Sequence, residues 1–285
     1  MIGRVIVLAG VVMSSAAFAA DAPLQPTEKW VVNFDDAQCV ATRNYGATGD
    51  AVYLVLKAPP IGDVVQIGVV RKGGAKEPTQ VDGEVVFDDG APIQTNLLEF
   101  GIGKLRQRAL LVNLPAAQIG SIRNASTVHI RARDRGFMKL GSRIGVGGRS
   151  ADESFALSSM PALLKMMDTC TADLRKVWNV YSDDKPGGPL KEPPSGDLVG
   201  LFNPDDYPGI ALLKEQMGTV ALVLLIDESG KVADCTVTQT SGVASLDAQS
   251  CAIIKERGKF KPAIGLDGKP AKSSWLQRIT WRLMG

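Results

Sequence analysis

The chain has 285 residues, of which 45% are hydrophobic and 22% charged, and this length suffices for two globular domains of ordinary size. A formal net charge of +2 and an aromatic content of 6% argue against a nucleic-acid partner, because that function requires a strongly basic surface and stacking side chains.

The first twenty residues have the layout of a secretory signal peptide. Arg4 precedes an apolar run over residues 5–12, and a stretch of small residues ends in Ala17-Phe18-Ala19. Because these are the parts of a cleavable signal, we expect residues 1–19 to be removed. The alternative is an uncleaved membrane anchor, for which residues 5–20 fall short of the ~20 apolar residues that a spanning helix needs.

Residues 20–181 predict a β-rich N-terminal domain closed by a long helix. Short apolar runs recur at residues 52–56, 64–70, 84–87 and 110–114, and clusters of proline and glycine separate them. Such runs are typical of strands between turns. From Phe155 to Trp178 apolar residues recur at helical spacing, and Pro161 suits the first turn of that helix.

Residues 182–200 predict a linker between two domains. The stretch from Ser182 to Asp197 contains four prolines and three glycines, with charges of both signs, a composition typical of extended connections. At ~3.1 Å per residue it reaches about 50 Å when fully extended.

Residues 201–285 predict a second domain, built as helix, β-hairpin, helix and strand. Residues 220–226 are apolar on both faces, which predicts a strand in the centre of a sheet. The sequence from Asp227 to Gly230 predicts the hairpin turn, with Gly230 free to adopt a positive φ. Ser245 is predicted to cap the following helix. With the β-rich first domain, these elements predict an α+β fold.

The last predicted strand has two chemically different faces. Trp275, Ile279, Trp281 and Leu283 share one face, whereas Arg278, Thr280 and Arg282 share the other. This alternation predicts one face packed on a helix and the other in water.

Five motifs stand in a fixed order over this last segment. They read YPGIALLKEQMGTV from Tyr207, LLIDESGKVADCTVTQTSG from Leu224, SLDAQSCAIIKERGKFKPA from Ser245, DGKP from Asp267 and WLQRITWRL from Trp275. Their order and spacing resemble the C-terminal domain of TonB, the periplasmic energy transducer that grips outer-membrane receptors. The resemblance covers about residues 202–285 and implies a three-stranded antiparallel sheet. It also implies a periplasmic location, or an inner-membrane anchor if the N-terminal segment is retained.

The resemblance further implies a peptide-binding site. In the family, the final strand and the segment just before the Tyr-Pro motif engage a short receptor peptide, the TonB box, by strand addition. By resemblance, these positions are Asn203, Asp205, Asp206, Gln277, Arg278, Ile279, Thr280 and Trp281. The upstream segment reads Asn-Pro-Asp-Asp where family members often present glutamine, a change that backbone pairing would survive.

Four cysteines predict two disulfides, because export brings the chain into an oxidising compartment. Sequence alone allows three pairings. The domain division favours Cys39 with Cys170 and Cys235 with Cys251, since each pair then lies within one domain. Buried free thiols are the alternative, and a metal site is disfavoured because C-x-x-C spacing is absent and His129 is the only histidine.

Catalytic motifs are missing from the sequence. His129 has no serine or cysteine placed to complete a nucleophilic triad. The glycine-rich stretches lack the strand, turn, helix context and the lysine of a phosphate-binding loop. We therefore predict neither an enzymatic activity nor a cofactor.

A basic stretch runs from Arg123 to Arg149, where six arginines and one lysine face a single acidic residue, Asp134. One interpretation is contact with an anionic envelope polymer or lipid headgroup. The other, which we favour, is a charged strand face that protects a sheet edge from pairing.

Three functions are consistent with these patterns. The first is a TonB-like periplasmic protein that binds peptide segments of outer-membrane receptors or other envelope proteins. The second is a structural or regulatory envelope protein without energy coupling. The third is a ligand-binding module that acts through the N-terminal domain. The predicted linker is much shorter than the long proline-rich spacer of TonB proteins, a departure that argues against energy coupling. A retained N-terminal anchor would favour the first function over the second.

Overall fold

A computed structural model describes residues 22–47, 49–61, 64–73, 79–102, 106–133, 152–180 and 189–283. The predicted signal peptide, residues 1–19, and most of the basic stretch between Arg123 and Arg149 lie outside these ranges. The described residues combine antiparallel sheets with helices, so the fold is α+β. None of the described helices is long and apolar enough to cross a membrane.

The N-terminal part of the described chain forms one nine-stranded antiparallel sheet. Its strands are β1 (Val31–Phe34), β2 (Cys39–Asn44), β3 (Val52–Ala58), β4 (Val64–Lys72), β5 (Thr79–Phe87), β6 (Ile93–Ile102), β7 (Gln107–Pro115), β8 (Thr127–Arg133) and β9 (Asp152–Ala156). Their spatial order is β1-β2-β3-β4-β7-β6-β5-β8-β9. Leu54, Ile67 and Val112, on three neighbouring strands, are buried in one apolar core. Helix α1 (Ile119–Asn124) lies between β7 and β8.

The nine-stranded sheet curls until its two ends approach each other. The N–H of Leu24 donates to the carbonyl of Ser154 (2.7 Å), and the N–H of Ala156 donates to the carbonyl of Leu24 (2.9 Å). The N–H of Thr27 donates to the carbonyl of Asn44 in β2 (2.9 Å). The segment before β1 therefore contacts both ends of the sheet and covers part of the edge that β9 would otherwise expose.

Helix α2 (Met160–Val177) packs its apolar face on the core of this sheet. Leu164 is buried there, and Pro161 stands in the first turn, where its missing N–H breaks no helical hydrogen bond. A disulfide joins Cys39 of β2 to Cys170 of α2, with 6.0 Å between the Cα atoms. This is the first of the two predicted pairings.

The C-terminal part follows the predicted order of helix, hairpin, helix and strand. Its elements are β10 (Leu190–Glu192), β11 (Ser195–Gly196), two 3-10 turns (Val199–Leu201 and Pro204–Asp206), α3 (Gly209–Leu213), β12 (Gly218–Ile226), β13 (Val232–Gln239), α4 (Ala244–Arg257), β14 (Phe260–Lys261), β15 (Ala263–Gly265), β16 (Pro270–Ala271) and β17 (Ser273–Trp281). Strands β13, β12 and β17 form, in this order, an antiparallel sheet that we call the C-terminal sheet. The predicted three-stranded sheet and its apolar central strand are confirmed.

The predicted linker is partly structured, which corrects the sequence-based interpretation. Strand β10 pairs with β15, and β11 pairs with β14. Leu198 is buried in the core beside the C-terminal sheet. The prolines and glycines of this stretch thus accompany short edge strands, where the missing N–H of a proline is tolerated. Residues 181–188 lie outside the described residues.

The two apolar faces of β12 belong to two different cores. Leu222 and Leu224 pack with Ile254 of α4. Val223 and Leu225, on the opposite face, lie within the core of the nine-stranded sheet. The C-terminal sheet is therefore covered by α4 on one face and by the nine-stranded sheet on the other, which explains why β12 is apolar throughout.

Candidate functional site

Strand β17, which contains five of the predicted peptide-binding residues, lies at the edge of the C-terminal sheet. It pairs with β12 over its whole length, from Ser273 opposite Ile226 to Trp281 opposite Gly218. On its other side, β17 pairs with no strand of the described residues. Its outer backbone N–H and C=O groups therefore meet the structural requirement for strand addition.

The side chains of β17 alternate between core and solvent. Trp281 is buried, and Ile279 is partly buried in the same apolar cluster. Arg278 and Thr280 are exposed on the opposite face, as the sequence pattern predicts. Gln277 is half-buried on the face of Ile279.

A side-chain contact indicates which backbone groups of β17 face the open edge. The Nε2 of Gln277 donates to the carbonyl of Arg278 (2.8 Å), so this carbonyl points away from β12. Because N–H and C=O directions alternate along an antiparallel strand, the same direction applies to Thr280, and the opposite direction to Ile279. The Oγ1 atoms of Thr280 and Thr219 lie 2.9 Å apart, as expected of a pair that shares no backbone hydrogen bond.

The second predicted segment, residues 203–206, is held by an internal ion pair. Arg257 donates to both carboxylate oxygens of Asp206 (2.7 and 2.8 Å) and to the carbonyl of Leu201 (2.9 Å). The backbone N–H of Asn203 also donates to this carboxylate (2.7 Å). These bonds, that from Arg257 first, hold the pKa of Asp206 below its ordinary value. Asn203 and Asp205 remain exposed.

Trp281 connects the two predicted segments. Its ring packs edge to face against Phe202 (5.7 Å between centroids) and Tyr207 (5.2 Å), the two residues that flank the upstream segment. Its Nε1 donates to the Oγ of Ser250 in α4 (2.9 Å). The Tyr207 hydroxyl donates to the carbonyl of Gln216 (2.6 Å), and burial raises the pKa of Tyr207. The structure thus brings together residues that lie more than seventy positions apart along the chain.

The second disulfide lies behind this site. Cys235 of β13 and Cys251 of α4 are joined, with 5.5 Å between their Cα atoms. The bond fixes α4 to the outer strand of the C-terminal sheet, on the side away from β17. Both predicted pairings are therefore present.

Sequence reasoning missed the contacts that hold the start of α4 to the nine-stranded sheet. The Oε1 of Gln80 accepts from the N–H of Ser245 (3.0 Å), and the Nδ2 of Asn96 donates to the carbonyl of Gly242 (2.8 Å). Val243, not Ser245, occupies the N-cap position of α4, so the predicted cap was wrong. The N–H of Ser245 bonds outside its own helix because its neighbour in space is a glutamine side chain.

A further contact between the two parts of the chain lies at the start of β17. The Nδ2 of Asn179, just after α2, donates to the carbonyl of Lys272 (2.7 Å). The ammonium of Lys272 lies 5.0 Å from the ring centroid of Trp178, within the range of a cation–π interaction. The beginning of β17 is thereby fixed, while its later residues remain open.

Arg131, in the described part of the basic stretch, is engaged within its own sheet. The Nη1 of Arg131 donates to Glu84 (3.2 Å), and its Nη2 lies 3.3 Å from the Nδ1 of His129. In the ranges that the structure covers, no cluster of three or more His, Cys, Asp or Glu side chains could hold a metal ion.

Comparison with known proteins agrees with the geometry of this edge. Residues 203–283 match the family model described as Gram-negative bacterial TonB protein C-terminal. No curated protein and no solved structure matches the chain. The C-terminal domain therefore belongs to the TonB C-terminal domain family. Domains of this family are envelope-associated and non-enzymatic, and they interact with outer-membrane receptors.

Proposed function

We propose that this chain is a periplasmic TonB-like protein that binds extended segments of outer-membrane receptors or other envelope proteins. The bound segment adds as a fourth strand to the open edge of β17. The observation that carries this proposal is that no strand within the described residues pairs with the outer side of β17, in a region that matches the TonB family. An edge with free N–H and C=O groups binds an extended peptide through its backbone.

The predicted site residues have different roles in this proposal. Arg278 and Thr280 offer outward backbone groups, and Gln277 and Ile279 line the side of the edge that faces α4. Asn203 and Asp205 are exposed and available for side-chain contact. Asp206 and Trp281 are positioning residues, because the first is bonded to Arg257 and the second is packed between the two segments.

The proposed domain boundaries are those predicted from the sequence. Residues 1–19 are a signal peptide that export removes, residues 20–181 form the N-terminal domain, and residues 201–285 form the peptide-binding domain. Within the connection at 182–200, residues 190–196 form a strap along the second domain, in which β10 pairs with β15 and β11 with β14. The Nδ2 contact of Asn179 with Lys272 supports a fixed placement of the two domains.

Two versions of the proposed function differ in whether the protein takes part in energy-coupled transport across the outer membrane. The alternative is an envelope interaction protein without energy coupling, and the observation that favours it is the strap, which is short and paired where a coupled transducer needs a long spacer. N-terminal sequencing of protein from a native host separates the two. Intact Met1 in the membrane fraction would support coupling, whereas a soluble chain that begins at Ala20 would support the alternative.

Chemical-shift mapping with a TonB-box peptide tests the proposed site. We expect perturbations in residues 274–283 and 203–207, with the nine-stranded sheet unaffected. Thr280→Pro should abolish them, because proline removes an outward N–H without touching the bonds to β12. Thr280→Val is the matched control, since it keeps the N–H and the β-branched shape, and it should bind normally.

A response confined to the nine-stranded sheet would contradict the proposal. It would move the function to the N-terminal domain, the third candidate, and leave the C-terminal domain as a scaffold. Equal binding by Thr280→Pro and Thr280→Val would likewise exclude strand addition at β17.

A further inference from the structure

We infer that the segment bound by β17 is acidic, with two carboxylates four residues apart that face Arg278 and Arg282 and with apolar residues between them. This inference rests on the proposed function and adds the chemistry of the partner. Its basis is the charge of the open edge.

The open edge of β17 carries uncompensated positive charge. From Lys269 to Arg282 the sequence contains two lysines and two arginines but no aspartate or glutamate. Among the described residues, neither Arg278 nor Arg282 has an ion-pair partner, whereas Arg108 and Arg257 are both bonded to carboxylates. Two guanidinium groups without an ion-pair partner among the described residues therefore lie beside the open edge and can bind an external anion.

The spacing of these two arginines matches an added strand. Positions 278 and 282 are four residues apart: Arg278 lies within β17 and Arg282 directly follows its last residue. At the rise of a strand, four residues span about 13 Å. The β12 residues opposite Arg278 and Thr280 are Ala221 and Thr219, so neither of these neighbours on β12 supplies a carboxylate to Arg278. An added strand has the same rise, and its residues at matching positions can present carboxylates to both guanidinium groups.

The backbone direction brings such carboxylates within reach. Because the N–H and C=O of Arg278 face outward, the partner residue opposite it forms a hydrogen-bonded pair, with about 5.5 Å between the Cα atoms. Side chains of such a pair lie on the same face and interact directly. On the other face, intervening partner residues would lie beside Ile279, which belongs to an apolar cluster with Trp281. Apolar side chains fit that position.

Anionic lipid headgroups would also be attracted to two arginines. A lipid surface, however, offers no backbone to pair with the open edge and imposes no spacing between its charges. The open edge lies on the strand that contains Arg278, and Arg282 directly follows its last residue, which favours an extended peptide.

Calorimetry with three synthetic peptides and the complete two-domain protein tests this inference. The first peptide has aspartates four residues apart with valines between, the second has the same composition with adjacent aspartates, and the third has lysines in place of aspartates. We expect the first to bind about tenfold more tightly than the third, with a smaller difference when salt rises from ~50 mM to ~500 mM. The second should lie between them, because adjacent residues point to opposite faces.

A charge-reversed protein supplies the decisive comparison. Arg278→Glu with Arg282→Glu should reverse the preference in favour of the lysine peptide, and its thermal unfolding should be unchanged because both side chains are exposed. Arg123→Glu, at an exposed position remote in the sequence, is the control for net charge and should leave the preference as it is.

Different failures overturn different claims. If all three peptides bind equally and Thr280→Pro abolishes all binding, the proposed strand addition stands and the acidic partner is wrong. If none of the peptides binds, or Thr280→Pro binds as well as Thr280→Val, both proposals fail. If charge reversal affects only binding to vesicles that contain anionic lipid, the partner of the arginines is a membrane surface and the inference is overturned.

Discussion

The guanidinium of Arg257 donates two hydrogen bonds, of 2.7 and 2.8 Å, to the carboxylate of Asp206. This pair joins the end of α4 to the turn that precedes the Tyr-Pro motif. It therefore fixes the upstream segment of the candidate site relative to the helix behind β17, and its protonation should be visible in stability.

Asp206→Asn should change the dependence of stability on pH. Because the pKa of Asp206 is lowered in the folded state, its contribution is complete above the unfolded value of ~3.9 and is lost as pH falls through the folded value. The difference in free energy of unfolding between the two proteins should shrink as pH falls below about 4. Urea titrations over this range measure it, and a constant difference would contradict the prediction.

Trp281→Ala should destabilise the protein by ~3–5 kcal/mol, because it removes a buried indole and the packing of Phe202 and Tyr207 on it. Trp281→Phe keeps an aromatic ring but loses the bond to Ser250, and it should cost clearly less. Denaturant unfolding provides both values. Equal values for the two variants would assign the stability to the hydrogen bond alone.

Gly230→Ala should cost more than ~3 kcal/mol, because a Cβ at this positive φ would also overlap the carbonyl oxygen of Phe260. The positive φ of +81° confirms the hairpin prediction at this position. Gly268→Ala is the matched control: its φ is +80° but the space around it is open, so only the conformational cost of ~1–2 kcal/mol applies. Thermal unfolding of both variants distinguishes the cost of the steric overlap from the conformational cost of a positive φ.

Removing the disulfides should have unequal effects. Replacing Cys235 and Cys251 by alanine opens a loop of 16 residues and should cost ~3 kcal/mol. The loop between Cys39 and Cys170 spans 131 residues, and its opening should cost ~4–5 kcal/mol in the chain-entropy model. Peptide mapping without reduction checks the pairings, and four alkylatable thiols would refute them.

The isolated C-terminal domain, residues 201–285, should self-associate. Without the nine-stranded sheet it exposes Val223 and Leu225, which are each 2% accessible in the whole chain. Val223→Thr with Leu225→Thr should restore the monomer, as measured by sedimentation. In the whole chain, Leu225→Ala should cost ~2–4 kcal/mol. A monomeric unmodified fragment would show that this face tolerates water.

The sequence predicts the C-terminal sheet well because its signals are local. Alternation in residues 220–226, the turn at Gly230 and the order of the family motifs all lie within short windows. The contact between Gln80 and Ser245 joins positions 165 apart through polar side chains that resemble ordinary surface residues. No pattern in the sequence distinguishes them, so the docking of the two parts could not be predicted.

The site shows the same division between local and distant information. The alternation of Arg278 and Thr280 with Ile279 follows directly from strand geometry. The engagement of Asp206 by Arg257 does not, since the two lie 51 positions apart. In the linker, composition was misleading because proline and glycine are also suited to short edge strands such as β10 and β11.

If the N-terminal segment were retained in the membrane, the pairing of Leu24 with β9 would limit the distance between the protein and the bilayer. Leu24 lies only four positions after Ala20, a reach of at most about 14 Å. The nine-stranded sheet would then lie close to the bilayer surface. The open edge of β17 could then bind only partners that reach the inner membrane. Cleavage of the N-terminal segment would instead allow the protein to diffuse to partners elsewhere in the periplasm.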